Sequence, residues 1–302
     1  MQVETVSNPL KSPLPSLLIW LAFTSMSVQT TRAALSDERG FLDVLAFTPA
    51  EYGAPPQNWA VVQGAEGLIY VGNTNGILEY DGVSWRMIHT DRNTAARSLA
   101  LGLDGRVYVG GQAELGYLAP DGQGRMQFVS LNEHIPEEAR DFADLWWTLA
   151  TEHGVYFQSL KQIFRWHNGK MAHWHLSDST SRMYQVSQRI LLRDKHLGLM
   201  ELENDGFEPV PNTAPLNDFD ISAIFSTPQP EDPKALLLVT DEGKLWRYQK
   251  SQISPLHPPE NPDLTAARIY HGRTLKPGLH ALATLGNGLL FINDEGEVIN
   301  HI

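Results

Sequence analysis

Few residues in this chain have the types and spacing for covalent chemistry. There is no cysteine, so no thiolate nucleophile, thiolate metal site or disulfide is available. No Gly-x-Ser-x-Gly elbow, His-Glu-x-x-His helix or phosphate loop occurs. Glu114 and Asp144 could form a hydrolase carboxylate pair, but nothing in the sequence sets their separation. His173 and His175 stand two apart, hence on one face of a strand, with His167 nearby. A zinc site needs three or four ligands, and no third with defined geometry is evident, so no metal or other cofactor is expected. Asn293–Glu297 (NDEGE) is shorter than a calcium loop and reads as a hairpin turn.

What remains is binding chemistry. Asn73, Asn75, Arg97, Gln112, Glu114, Arg140, Asp144 and Trp146 stand in or beside turns. Amides, guanidinium groups, carboxylates and an indole suit sugar hydroxyls and ring faces. The competing reading is structural: Asn73 and Asn75 shape a turn, and Arg97 pairs with a neighbouring carboxylate. Trp59, Trp85, Trp146 and Trp166 recur near matching ends of the repeats and read more readily as packing than as a sugar platform.

The elements that must hold these residues repeat. Trp59–Gln63, Leu68–Gly72, Ile77–Tyr80 and Trp85–Ile88 read as four short strands joined by Gly-, Asn- and Asp-rich turns. The same order returns in RSLALGLDGRVYVGGQAELGYLAPDGQGRMQFVSL from Arg97 and in DLWWTLATEHGVYFQSLKQIFRWHNGKMAHWHL from Asp144. Weaker copies cover 182–210, 221–256 and 265–302. With 59–90, 97–131 and 144–176, they make six. Tyr70, Tyr108 and Tyr156 mark the second strands 38 and 48 residues apart, and Leu192, Leu238 and Leu282 follow at 36, 46 and 44. A self-similar four-strand unit at this period predicts an all-β protein, a β-propeller of about six antiparallel blades. A β-sandwich would not need the same turn at the same place six times. The stretch from His134 to Ala143 predicts a short helix or ordered loop.

Phe41–Phe47 (FLDVLAF) could add one closing strand, and the sixth copy runs to Ile302. The ring is therefore either a compact six-bladed one or the N-terminal part of a larger propeller. The second is preferred, because an end blade would otherwise expose apolar faces and strand edges.

The chain has 302 residues, 42% hydrophobic and 19% charged, which suits a globular protein. Its formal charge of −12 argues against a basic footprint for nucleic acid or an anionic membrane. Residues 1–34 carry an apolar run, Leu17–Val28, then TTRAAL with small residues suited to cleavage. The run is too short to span a bilayer and reads as a secretory signal peptide, hence a periplasmic protein. Glu4, Pro13 and Pro15 are atypical of such signals, and the alternative is an N-terminal extension with a chance apolar run.

The run YGAPPQNWAVVQGAEGLIYVGNTNGILEYDGVSWRMI from Tyr52 resembles the first blade of the extracytoplasmic sensor propellers of bacterial two-component regulators. RSLALGLDGRVYVGGQAELGYLAPD and DLWWTLATEHGVYF resemble the blades that follow, so the likeness covers about 41–157. The resemblance implies a periplasmic sensor that binds carbohydrate or another small ligand. In that family a membrane helix and a histidine kinase or diguanylate cyclase lie downstream. No second propeller, membrane segment, phospho-acceptor helix or cyclase motif is present here, so this chain is expected to be non-catalytic. Contact with a second protomer through the propeller is a further expectation. The alternatives are a stand-alone scaffold for protein partners and a carbohydrate-active hydrolase or lyase.

Overall fold

The computed structural model describes residues 45–176, 180–203, 206–257 and 262–302. The signal segment and residues 41–44 of the possible closing strand lie outside the described residues. Phe47–Ile302 forms one compact unit.

That unit is a β-propeller of six four-stranded antiparallel meanders. Blade 1 holds β1 (Asn58–Gln63), β2 (Ile69–Asn73), β3 (Gly76–Tyr80) and β4 (Trp85–Ile88). Blade 2 holds β5 (Ala96–Leu101), β6 (Val107–Gly111), β7 (Leu115–Pro120) and β8 (Met126–Ser130). Blade 3 holds β9 (Trp147–Thr151), β10 (Gly154–Gln158), β11 (Gln162–His167) and β12 (Lys170–His175). Blade 4 holds β13 (Arg182–Val186), β14 (Arg189–Asp194), β15 (Gly198–Glu203) and β16 (Gly206–Pro209). Blade 5 holds β17 (Ile221–Ser226), β18 (Leu236–Thr240), β19 (Leu245–Gln249) and β20 (Gln252–Leu256). Blade 6 holds β21 (Ile269–Lys276), β22 (Leu279–Thr284), β23 (Leu289–Ile292) and β24 (Val298–His301). The first strand of each blade is innermost.

Helix is scarce. A four-residue turn, α1 (Pro49–Tyr52), is closed by a capping box in which Glu51 accepts from the Thr48 backbone N–H at 2.6 Å. It sets Tyr52 and Phe47 against Trp85 on blade 1. The 134–143 stretch becomes two 3-10 turns, Asn132–His134 and Glu137–Ala139. Among the described residues no helix is long and apolar enough to cross a membrane.

Side-chain alternation explains why the blades stack. Successive strand residues point to opposite faces, so one strand serves two junctions. Val107 and Val109 pack on blade 1 while Tyr108 packs on blade 3. Phe157 faces blade 2 while Tyr156 faces blade 4. Leu236 and Leu238 face blade 4 while Leu237 and Val239 face blade 6. These second strands are apolar at nearly every position because both of their faces are buried.

Five hydrophobic clusters fill the five junctions between consecutive blades. Among the described residues none joins blade 6 to blade 1. On blade 1, Val62 packs on blade 2, so its neighbour Val61 points the other way and is 67% exposed. On blade 6, Leu290 packs on blade 5, leaving Leu289 and the end residue Ile302 on the opposite, exposed side.

Polar contacts reinforce the filled junctions. The Ser98 hydroxyl donates to the Leu145 carbonyl at 2.7 Å, and the Gln158 amide donates to Ser181 at 2.8 Å. The Ser222 hydroxyl donates to Ile269 at 2.7 Å. Between blades 4 and 5, Arg189 donates two hydrogen bonds to Glu201, at 2.6 and 2.9 Å, and Lys234 of blade 5 lies 3.6 Å from the same carboxylate. Burial alone would raise the Glu201 carboxyl, but the Arg189 hydrogen bonds and charge, with Lys234, hold it below its ordinary value.

Leu236→Ala, at a fully buried site between blades 4 and 5, should cost about 2–5 kcal/mol of unfolding free energy in a urea melt. A carboxyl depressed in the folded state stabilises above its unfolded value of about 4.3 and ceases to do so as pH falls through the folded value. Thermal melts of wild type and Glu201→Gln should therefore differ most near neutral pH and converge as the pH drops below about 4.

Candidate functional site

The first strands all begin at one face of the disc. There Asn58 of β1 pairs with Asn73 at the end of β2, and Ala96 of β5 pairs with Gly111 at the end of β6. The β2–β3 and β6–β7 turns and the connections into β1, β5 and β9 therefore share this mouth of the central channel.

One extra residue sits near the start of four of the six inner strands. The register slips between Asn58 and Ala60, Ala96 and Ser98, Ile221 and Ala223, and Ile269 and His271. The residues inside these bulges are Trp59, Arg97, Ser222 and Tyr270. At Trp59, Arg97 and Tyr270 the bulge breaks the alternation and re-aims the side chain away from the two packed faces, whereas Ser222 stays buried and bonds across the junction of blades 5 and 6. In blades 1 and 2 it brings an indole and a guanidinium to the mouth.

Close packing beneath the mouth depends on missing side chains. A Cβ at Gly110 would fall 2.5 Å from the Ser98 hydroxyl oxygen and 2.7 Å from that of Thr148. Without one, the inner strands of blades 2 and 3 approach closely enough for those two hydroxyls to hydrogen-bond at 2.7 Å.

Above this floor, Arg97 Nε donates to Asp144 Oδ1 at 2.7 Å, tying blade 2 to the start of blade 3. The Arg97 guanidinium carbon lies 4.3 Å from the Trp59 ring centre and 5.1 Å from that of Trp146. The two indoles meet edge to face at 5.8 Å. Trp146 is positioned by its backbone N–H, which donates to the Gln158 carbonyl at 2.9 Å. Gln112, exposed, forms a β-bridge with Asp144. The arrangement offers aromatic surface and a paired charge at its edge. That suits a flat, partly polar ligand.

The other residues singled out in the sequence have different surroundings. Asn73 is fully buried; its amide donates to Pro55, Gln57 and Asn58, and its oxygen accepts from the Asn75 N–H at 3.0 Å. Asn75 is exposed beside it. Glu114 is 1% exposed and accepts from the Arg92 N–H at 3.0 Å and the Thr94 hydroxyl at 2.6 Å, fixing the connection between blades 1 and 2. Arg140 donates to the Ile135 carbonyl at 3.0 Å and organises the two 3-10 turns.

The tryptophans divide differently from the packing role expected for all four. Trp166 packs at the junction of blades 2 and 3 as expected. Trp85 stacks on Tyr80 at the outer part of blade 1, and Trp59 stands at the mouth, 38% exposed. The bulge at Trp59 is the reason, and nothing in the local sequence marks it. His173 and His175 lie edge to face at 5.5 Å on β12, the outer strand of blade 3. Two further mouth residues went unremarked in the sequence: Arg182, the first residue of β13, and His271, next to the bulge of β21. Aligning the starts of the inner strands would have found both.

No protein-family model matches the chain, and no curated protein matches it in sequence. Solved propellers match in fold. A streptogramin B lyase is similar with a TM-score of 0.57 at 15% identity, covering 81% of this chain and 82% of that one. The extracellular domain of a hybrid two component system from B. thetaiotaomicron is similar with a TM-score of 0.56 at 18% identity, covering 81% of this chain and 32% of that one. The WD40 propeller domain of Doa1 gives a TM-score of 0.58 at 11% identity, covering 82% of each chain. At these identities the likeness carries the fold, a β-propeller, and no activity.

Glu114→Ala would leave the Arg92 N–H and Thr94 hydroxyl without their acceptor. The expected cost is about 1–3 kcal/mol in a urea melt.

Proposed function

We propose that this chain is the extracytoplasmic ligand-sensing propeller of a bacterial transmembrane signalling receptor of the two-component type, and that it works by binding. The observation that carries the reading is the cluster of Trp59, Arg97, Asp144 and Trp146 at the channel mouth. It gathers two partly exposed indoles and polar groups at one place, as a carbohydrate or similar small ring requires. Both carboxylates that could serve a hydrolase are engaged: Glu114 in a backbone connection, and Asp144 with Arg97. That favours binding over turnover.

The secretory reading of residues 1–34 and the fold shared with an extracellular two-component domain support a periplasmic location. Signalling would require a ligand that binds two receptor arrangements with different affinities. The uncovered sides of blades 1 and 6 are where contact with a second protomer would act.

Calorimetric titration with a panel of neutral mono- and oligosaccharides tests this. At least one should bind saturably, and Trp59→Ala and Trp146→Ala should each weaken it about 5- to 30-fold (about 1–2 kcal/mol) with little change in Tm. Turnover of a sugar, lost in Asp144→Asn, would replace the sensor with an enzyme. Failure to bind any of them, with capture of a protein partner instead, would favour a scaffold.

A further inference from the structure

A second group of side chains stands at the same mouth, opposite blades 1 and 2. Arg182, at the start of β13 in blade 4, reaches past the inner strand of blade 5 to His271 on β21 of blade 6. Its Nη2 lies 3.0 Å from His271 Nδ1. Its guanidinium also lies 5.5 Å from the Trp147 ring centre and 5.2 Å from that of Tyr184. Arg273 follows two residues after His271 on a regular stretch of β21, hence on the same side of the strand.

The hydrogen-bonding roles here run one way. A guanidinium can only donate, so His271 Nδ1 must be the acceptor and the ring's other nitrogen carries the proton as a donor. Burial, then the charges of Arg182 and Arg273, push the imidazole down to about 4, so it is neutral near pH 7. Both charged groups acting on it are cations.

Other arginines of the propeller have carboxylates: Arg86 with Glu79, Arg97 with Asp144, Arg189 with Glu201, and Arg268 with Asp241. Among the described residues, Arg182 and Arg273 have none within 4 Å, and Asp220, across the blade 4–5 junction, lies beside Arg193. The buried Arg182 Nε has no hydrogen-bond partner. Two guanidinium groups without a carboxylate among the described residues, beside a neutral imidazole, form a local excess of donors and positive charge in a protein of net charge −12. An anionic acceptor would gain charge-assisted hydrogen bonds from it.

We infer that Arg182, His271 and Arg273 form an oxyanion subsite at the channel mouth, which takes a carboxylate or sulfate group. Trp147 supplies an apolar wall, and its neighbour Trp146 belongs to the indole–guanidinium cluster. The subsite stands on its own geometry and does not require the sugar reading of Trp59 and Trp146.

The test uses the full chain with sodium sulfate and with sodium acetate as probes, at constant ionic strength made up with chloride. Neither anion offers a ring to the indoles. Saturable binding by calorimetry is expected for at least one, and which one binds separates a sulfate site from a carboxylate site. Arg182→Gln and Arg273→Gln should each weaken it at least tenfold, while Trp59→Ala leaves it unchanged. Arg273 is exposed, so its variant should fold even if the Arg182 variant does not. Absence of saturable binding by either anion, or equal binding in wild type and Arg273→Gln, would overturn the inference. Loss of sugar binding in Trp59→Ala with anion binding intact would bear on the other cluster alone.

Discussion

A blade of this protein is a twisted four-stranded ribbon with apolar side chains on both faces. Such a ribbon has no inside of its own. Its second strand, as in Leu236–Thr240, buries one set of residues against the preceding blade and the alternate set against the following one. Everything else follows from this need for cover on two sides. The blades must succeed one another around an axis, the first strands must converge, and their starting ends must gather at one mouth.

The mouth is then a place where ordinary strand alternation fails to serve both neighbours and channel. The bulges at Trp59, Arg97 and Tyr270 resolve the conflict by adding a residue that stays outside the hydrophobic clusters of the junctions. A side chain released in this way is free of packing duties. It is held instead by what converges from other blades, as Arg97 is held by Asp144 and two indoles. Glycines at positions such as Gly110 let the inner strands approach closely enough for that convergence.

The same rule of two-sided cover describes the junction where it is unmet. Val61 on blade 1 and Leu289 on blade 6 point to sides that no buried cluster fills among the described residues. These surfaces are apolar for the same reason that Leu237 is apolar: their alternation is that of an inner blade. A further sheet or a second molecule placed there would extend the packing already present in five junctions.

The repeat of four short strands with Gly-, Asn- and Asp-rich turns was legible from the residues, because turn chemistry and two-residue alternation are local. Tyr70, Tyr108 and Tyr156 marked the second strands, and all three are buried there. Candidate residues at the shared face were legible only as a set of turn positions. Arg97, Asp144 and Trp146 come together, whereas Asn73, Glu114 and Arg140 hold local backbone. Local spacing cannot distinguish these roles. A bulge adds one residue without altering composition, so the re-aiming of Trp59 left no mark. The meeting of Arg182 with His271, 89 residues away, depends on the angle between blades and the width of the channel. By itself the sequence determined a ring of antiparallel blades, since that is how such ribbons bury both faces. Only the tertiary structure decided which polar side chains meet at its mouth, since convergence across blades is set by packing and not by order along the chain.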